Sequence, residues 1–427
     1  MSNFSQDFID IQQQANLQLG RSSLPTYGSE NWKYTSLKDY LKTEFKAAPE
    51  KMYDFAVPAE VKSLISDFDT CLFFYNGNHV AKESFNRLTN GSLAIPLDEA
   101  LSDFPETHPQ IKNLLSKPPA ESLQALGWRH RAQFKQGAYV RLKANRFTSE
   151  KPIKVAVICF YGNISSGEEE KPFSVFPQNI YSIDSHSAAE IFEAHFAVNN
   201  IRMQIHNSSR LFCSEGSKTS LAQVLWPGTE AVTFNDVSVD IEQEASLECF
   251  NLNIDSLMTR SELDISLMGI NSRVENYCLS LLGEGAQIDF NSQIHHRTGS
   301  SQSKQIVKNV VGKKSKAVFS GRITIDEMAQ KSDAYQKNYN LLLSDSAEAY
   351  TRPQLLVNAD DVKAAHGATV GSLREEEIFY LQSRGISAEQ ARQLLASGFQ
   401  TELVGRMKSK SLSQLLNYCL HAKETIV

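Results

Sequence analysis

No two of the six cysteines, Cys71, Cys159, Cys213, Cys249, Cys278 and Cys419, stand close enough to form a C-x-x-C. Centres built on thiolates need such clustering, so the chain carries no readable ligand set of that kind. Scattered cysteines without a secretion signal read as buried, reduced thiols and not as a disulfide framework. Basic charge is also short: 43 Lys and Arg face 49 Asp and Glu, a net charge of -6. Nucleic-acid binding usually shows as a basic excess, so no nucleic-acid partner is expected. The densest basic patch, VVGKKSK over 310–316, is short and reads as a solvated turn. It is not a phosphate loop either. Val307 stands where the first glycine belongs, and Lys314 replaces the required Ser or Thr. The chain is therefore not expected to hydrolyse ATP. No apolar run approaches a membrane span, so no membrane partner is expected. The opening MSNFSQDFIDIQQQANLQLG has neither a basic start nor an unbroken apolar core. It is not read as a signal peptide, and a cytoplasmic location is expected.

What is present changes character along the chain. Phe4, Phe8, Ile11, Ala15 and Leu19 recur near helical spacing and predict a helix over 2–20. Thr35 or Ser36 is placed to cap a second helix, SLKDYLKTEF. CLFFYNGN reads as a strand entering an Asn-Gly turn, and 111–126 as a helix interrupted by Pro118-Pro119. After Gly137, short alternating runs dominate, as in SELDISLMGI, VSVDI, QIDFNSQI and RITID. No long helix separates them, which disfavours a doubly wound α/β sheet and leaves a sandwich or a solenoid. Small-residue corners recur before strands, in EASLE, GAQID, SKAVF and AEAYT, and favour stacked coils. The polar stretch NISSGEEEKP reads as a loop excursion.

From Gly371 the pattern turns helical. Ser372 with Glu375, and Ser387 with Gln390, make two capping boxes, with Gly385 and Gly398 as stops. A third helix is predicted over 411–422. So small a helical unit buries little core alone, so it must pack on the body or offer an apolar face to a partner.

Three stretches carry a family resemblance: LPTYGSENWKYTSLKDY near the start, KAVFSGRITIDEMAQKSDAYQKNYNLLLSD late in the β region, and AEAYTRPQLLVNADDVKAAHGATVG leading to FYLQSRGI. Together they are similar to the SufB/SufD family of the SUF iron–sulfur cluster assembly system, on its SufD side. The resemblance implies a mainly β fold. A right-handed parallel β-helix core over 137–366 would lie between an N-terminal helical and mixed region, 1–136, and a small C-terminal helical domain, 367–427. It implies a non-catalytic scaffold that pairs with SufB through β-helix edges and docks the ATPase SufC on the C-terminal helices. The docking face expected is Ile386, Ala391, Leu394 and Leu395. A transient iron–sulfur cluster would form near the SufB interface, and reduced flavin is a cofactor associated with such complexes. Unpaired solenoid edges also predict a homodimer when the chain is isolated.

His366 is the candidate site residue. It lies in KAAHGATVG, between a strand-like and a helix-like run. Strand alternation puts Ala364 and His366 on one face. The resemblance ties this histidine to the nascent cluster, as a possible iron ligand. Many relatives carry Cys where this chain has Ala364, so a thiolate relay at that position is excluded. His295-His296 is read as structural, because neighbouring strand residues point to opposite faces. Trp32 and Tyr34 read as packing anchors. The rival reading is a β-helix enzyme acting on polysaccharides through carboxylates such as Asp326, Glu327, Asp360 or Asp361. Adjacent strand carboxylates face apart, which weighs against it.

Overall fold

The computed structural model describes residues 6–48, 55–89, 91–143, 151–162 and 171–426. Most of NISSGEEEKP, and residues 2–5 of the span predicted as a helix, Phe4 among them, lie outside them.

The β region is a parallel solenoid of about seven turns. Strands alternate between two long sheets. One, here the front sheet, runs in order through Gln178–Ile183, Met203–Cys213, Gly228–Ile241, Ser256–Leu267, Gln287–His296, Lys316–Ile325 and Glu348–Val357. The back sheet runs through Thr70–Tyr75, Ile153–Tyr161, Ala188–Ala197, Lys218–Trp226, Ser246–Ile254, Arg273–Leu282, Gln302–Val311, Asp333–Leu342 and Lys363–Ser372. From Ala188 on, each solenoid strand pairs in parallel with the one two places on, with a single register shift between Gly228 and Val232. The inward residues of both sheets fill one continuous core, including Ile191, Leu263, Ile288, Phe290 and Phe319.

The corners explain the small residues. A residue at positive φ turns the chain, and a buried Ala or Ser follows it before the next strand. Glu244 (φ 57°) precedes Ala245, Gly285 (φ 74°) precedes Ala286, and Lys314 (φ 56°) precedes Ser315. His186-Ser187, Gly216-Ser217, Asn271-Ser272, Ser300-Ser301 and Lys331-Ser332 repeat the device. Bulk at the second position would block coil stacking. CLFFYNGN forms its expected hairpin, with Asn76 and Gly77 both at positive φ.

Both outer faces are covered. The opening helix Gln6–Arg21 packs with His108–Ser116 and Ala125–Gln133 over the front sheet, burying Phe8, Leu114, Phe134 and Ile180. The segment after it crosses the same sheet as a strap. Trp32 is buried, donates from Nε1 to the Ser122 carbonyl at 2.7 Å, and covers the Arg260 guanidinium at 4.8 Å. Tyr34 stacks on Tyr350 at 4.1 Å. Both are packing anchors, as expected. The capped helix expected at SLKDYLKTEF shrinks to one turn, Lys38–Leu41. Thr35 does not cap it; its hydroxyl donates to Asp289 of the front sheet.

Of the C-terminal helices Glu375–Ser383, Ala388–Val404 and Lys410–Ile426, the second and third lie on the back sheet and the first packs on the second. The third drives Leu412, Leu415, Leu416 and Leu420 into one cluster with Phe68, Ile158, Phe192 and Phe250. Two helix signals fail for visible reasons. Ser372 is still paired in the sheet with Leu342, so the first helix begins at Glu375 with Arg374 as its N-cap and no side-chain cap. The last strand thus crosses the boundary expected at 366. Gly398 does not stop the second helix, because Leu403 and Val404 beyond it are buried against the solenoid; the helix runs to Gly405. The Ser387–Gln390 capping box and the Gly385 stop (φ 86°) both form.

Candidate functional site

His366 sits on the strand Lys363–Ser372, which ends the back sheet. Its neighbour across the ladder is Gln336, and Ala364 faces Ala334 in the same register. Ala364 packs against the solenoid core, so the face it shares with His366 is the inward one. His366 is nonetheless exposed, because no further coil closes over it. The front sheet ends in the same way at Glu348–Val357. The two terminal strands therefore leave an open solenoid end with unpaired edges.

The column of inward residues leading to His366 changes chemistry along the axis. Reading by register it is Ile191, Leu221, Cys249, Asn276, Gln305, Gln336 and His366. It starts apolar and becomes amide, with Asn276, Gln305 and Gln336 all fully buried. Gln305 donates from Nε2 to Ser292 Oγ at 2.7 Å, and Gln336 Nε2 donates to Gln305 Oε1 at 2.8 Å. Across from them, Gly321 makes room: a Cβ there would lie 2.5 Å from Gln336 Nε2. The outer face of the terminal strand is nearly bare, presenting Ala365, Gly367, Thr369 and Gly371.

A second interior polar cluster escaped the sequence reading. Glu193 and His195 are both fully buried, two residues apart on one strand face. Protonated His195 donates from Nε2 to Glu193 at 3.0 Å and from Nδ1 to the Tyr161 hydroxyl at 2.8 Å. Glu193 also accepts from Gln223 and Tyr181, each at 2.7 Å. Burial alone would push the Glu193 carboxyl up, but its hydrogen bonds and the His195 charge hold it down at about 2. Burial works against the His195 charge too, yet Cys159 and Glu193 beside it keep its value up at about 9. The period-2 spacing in EIFEAHF was the available signal. The cluster is enclosed and acts as an internal clamp.

The other candidates resolve simply. His296 is buried between Ser301 Oγ at 2.7 Å and Ser303 Oγ at 2.8 Å, and burial lowers its pKa to about 4. His295 turns away to Asp326 at 2.8 Å, so the pair is structural and does not chelate. All six cysteines are buried and free; burial pushes the thiols of Cys213, Cys278 and Cys419 up to about 12. Among the described residues no cluster of His, Cys, Asp and Glu could hold a metal ion. Lys313 and Lys314 of the basic patch project into solvent near Glu284, in a turn.

The expected docking face divides. Ala391 is fully buried and belongs to the packing beneath it. Ile386 and Leu394 line a cleft of about 730 Å³ with Leu281, Val310 and Leu343 of the solenoid rim. Leu395 lines a separate recess with Tyr380 and Leu381. Sequence reading missed Phe379 and Tyr380, which are 71 % and 57 % exposed on the first helix. Two adjacent aromatics, with Ile378 taking the buried phase, were the legible sign.

The family model described as SUF system FeS cluster assembly, SufBD core domain, matches residues 164–399, more than half of the chain. The chain belongs to the SufBD family. A protein named iron–sulfur cluster assembly protein SufD, from Escherichia coli, is 26 % identical over 94 % of this chain and 90 % of its own length. An iron–sulfur cluster assembly SufBD family protein of Synechocystis is 25 % identical over 95 % of this chain and 88 % of its own. Protein ABCI7, chloroplastic, of Arabidopsis thaliana is 30 % identical over 40 % of this chain and 36 % of its own. The SufD assignment made from the motifs holds, and with it a role in SUF iron–sulfur cluster assembly. The relatives lend the polysaccharide alternative no support. Among the described residues, no helix of this SufBD-family chain is long and apolar enough to cross a membrane.

Proposed function

We propose that this SufD-type chain is a non-catalytic, cytoplasmic scaffold whose open solenoid end receives SufB. The observation that carries the reading is the pair of unpaired edges, Glu348–Val357 and Lys363–Ser372. Each offers a row of backbone N–H and C=O groups to a strand of similar build. The same edges would let the isolated chain pair with itself.

His366 stands on that edge and contributes an imidazole to a nascent cluster shared with SufB. The cluster is the cargo of the assembly. With Ala364 in place of a cysteine, this side of the joint supplies nitrogen and no thiolate. SufC docks on the C-terminal helices, on the exposed residues Leu394, Phe379 and Tyr380 together with Ile386 and Leu395. ATP hydrolysis belongs to SufC, since this chain has no phosphate loop. Reduced flavin, where the complex uses it, belongs to the assembly and not to this chain alone, whose described residues include no glycine-rich strand-to-helix turn to receive a pyrophosphate.

The test is co-expression with the SufB and SufC of the same organism, with mass measured by light scattering after size exclusion. A stable assembly of all three is expected. Elution of the chain free of both partners across a range of salt overturns the scaffold reading. In the intact complex, His366→Ala is expected to lower cluster yield; an unchanged yield removes His366 from the site.

A further inference from the structure

The amide column beneath His366 has a polarity, and its last oxygen has no partner. Gln305 spends its Nε2 on Ser292 Oγ and offers Oε1 to Gln336 Nε2. Gln336 therefore turns its own Oε1 onward, toward the open end. That oxygen is fully buried and has no hydrogen-bond partner in the structure. The next residue in register is His366, one strand spacing away, or about 4.8 Å. Among the described residues the His366 ring has no hydrogen-bond partner. A buried acceptor without a donor and a ring without a partner thus occupy neighbouring register positions on the inward face.

We infer that Gln336 is the positioning residue of His366: its Oε1 accepts from one ring N–H and holds the neutral imidazole in a single tautomer. The other ring nitrogen then presents its lone pair outward, to an incoming iron atom. A ring nitrogen that binds metal is commonly set by the hydrogen bond its partner nitrogen donates to a carbonyl. Here a side-chain amide serves as that carbonyl. It is immobilised by Gln305 and Ser292 behind it and by the space that Gly321 leaves. No proton is gained or lost in this arrangement; the column selects which nitrogen carries it. The part of the inference that concerns iron rests on the role proposed above for His366. The tautomer itself does not.

The experiment separates the two. Ring-nitrogen chemical shifts of ¹⁵N-histidine are recorded on the isolated full-length chain, at a pH above the range where imidazole titrates. His366 is assigned by the signal lost in His366→Asn. One dominant tautomer is expected in the wild type. Gln336→Met, of matching shape but without the oxygen, is expected to release the ring to a mixture. Gln336→Glu is expected to restore a single tautomer, with the Gln305 amide and Ser292 hydroxyl reversing to donate. A mixture in the wild type overturns the proposal. So does a single tautomer that survives Gln336→Met, and so does a Gln336→Glu ring whose proton sits on the opposite nitrogen from the wild type, as would occur if the column ran the other way and His366 were the acceptor. If Gln336→Met fails to fold, Gln336→Glu decides: the wild-type tautomer retained supports the proposal, and its exchange for the other tautomer overturns it. Within the assembled complex, Gln336→Met is expected to lower cluster yield by about 10-fold or more, with Gln336→Glu retaining it. If His366→Ala leaves that yield intact, the iron role falls while the tautomer result stands on its own.

Discussion

Glu193 and His195 show what a charged residue inside a solenoid demands. Each is fully buried, and each is kept ionised by the other and by a ring of hydroxyls and amides. The pH dependence follows from the two shifts. His195 is raised from 6.5 to about 9, so its contribution is complete below 6.5 and is lost as pH rises through 9. Glu193 is lowered from 4.5 to about 2, so its contribution is complete above 4.5 and is lost as pH falls through 2. The midpoint of urea unfolding should decline between pH 6.5 and 9, and Glu193→Gln should flatten that decline. The same variant strands a buried imidazole and should cost about 3–5 kcal/mol. Gly321 makes the opposite point, about space. An added methyl would lie 2.4 Å from the Phe319 ring as well as against Gln336. Gly321→Ala should therefore cost about 1–3 kcal/mol, read as a lowered melting temperature.

Among the elements, the strap through Trp32 is the one whose removal is easiest to foresee. Its indole covers Arg260, which is buried and paired with Glu262 and with Asp289 at 2.7 Å. Trp32→Ala should cost about 3–5 kcal/mol and make the segment before residue 48 the first site of limited proteolysis, ahead of the solenoid. The strap, the hairpin and the coil corners were legible because each rests on local chemistry: an aromatic anchor, an Asn-Gly pair, an alanine after a sharp turn. The corners at Ser187, Ser217, Ser272, Ser301 and Ser332 went unread although SKAVF was taken, because a serine after a varied polar residue marks turns of any kind. That omission hid the coil length, and with it the alignment of Gln336 beneath His366. Gly398 misled for a different reason. A helix end is set by what packs beyond it, and Leu403 holds this one closed. Likewise Ala391 and Leu394 belong to one apolar stripe in sequence, yet only contact with the body decides which of them is covered.

At the scale of the whole molecule, burial is uneven along the axis. The early coils are covered on both faces, whereas the terminal strands carry mostly partly buried or exposed residues. Amide hydrogen exchange should be fastest in 348–372 and slowest around 205–265. If the open end receives a partner, the same stretch should gain protection in the complex; equal exchange in free and assembled chain would place the partner elsewhere.

The third C-terminal helix has a consequence for how the chain is made. Its leucines complete a cluster whose earliest members, among them Phe68, Ile158 and Phe192, precede it by more than two hundred positions. A ribosome must therefore deliver nearly the whole solenoid before residues 410–426 emerge to cover its back sheet. Throughout that interval the nascent chain carries an uncovered greasy stripe, and a chaperone that shields it during translation should raise the yield of folded chain.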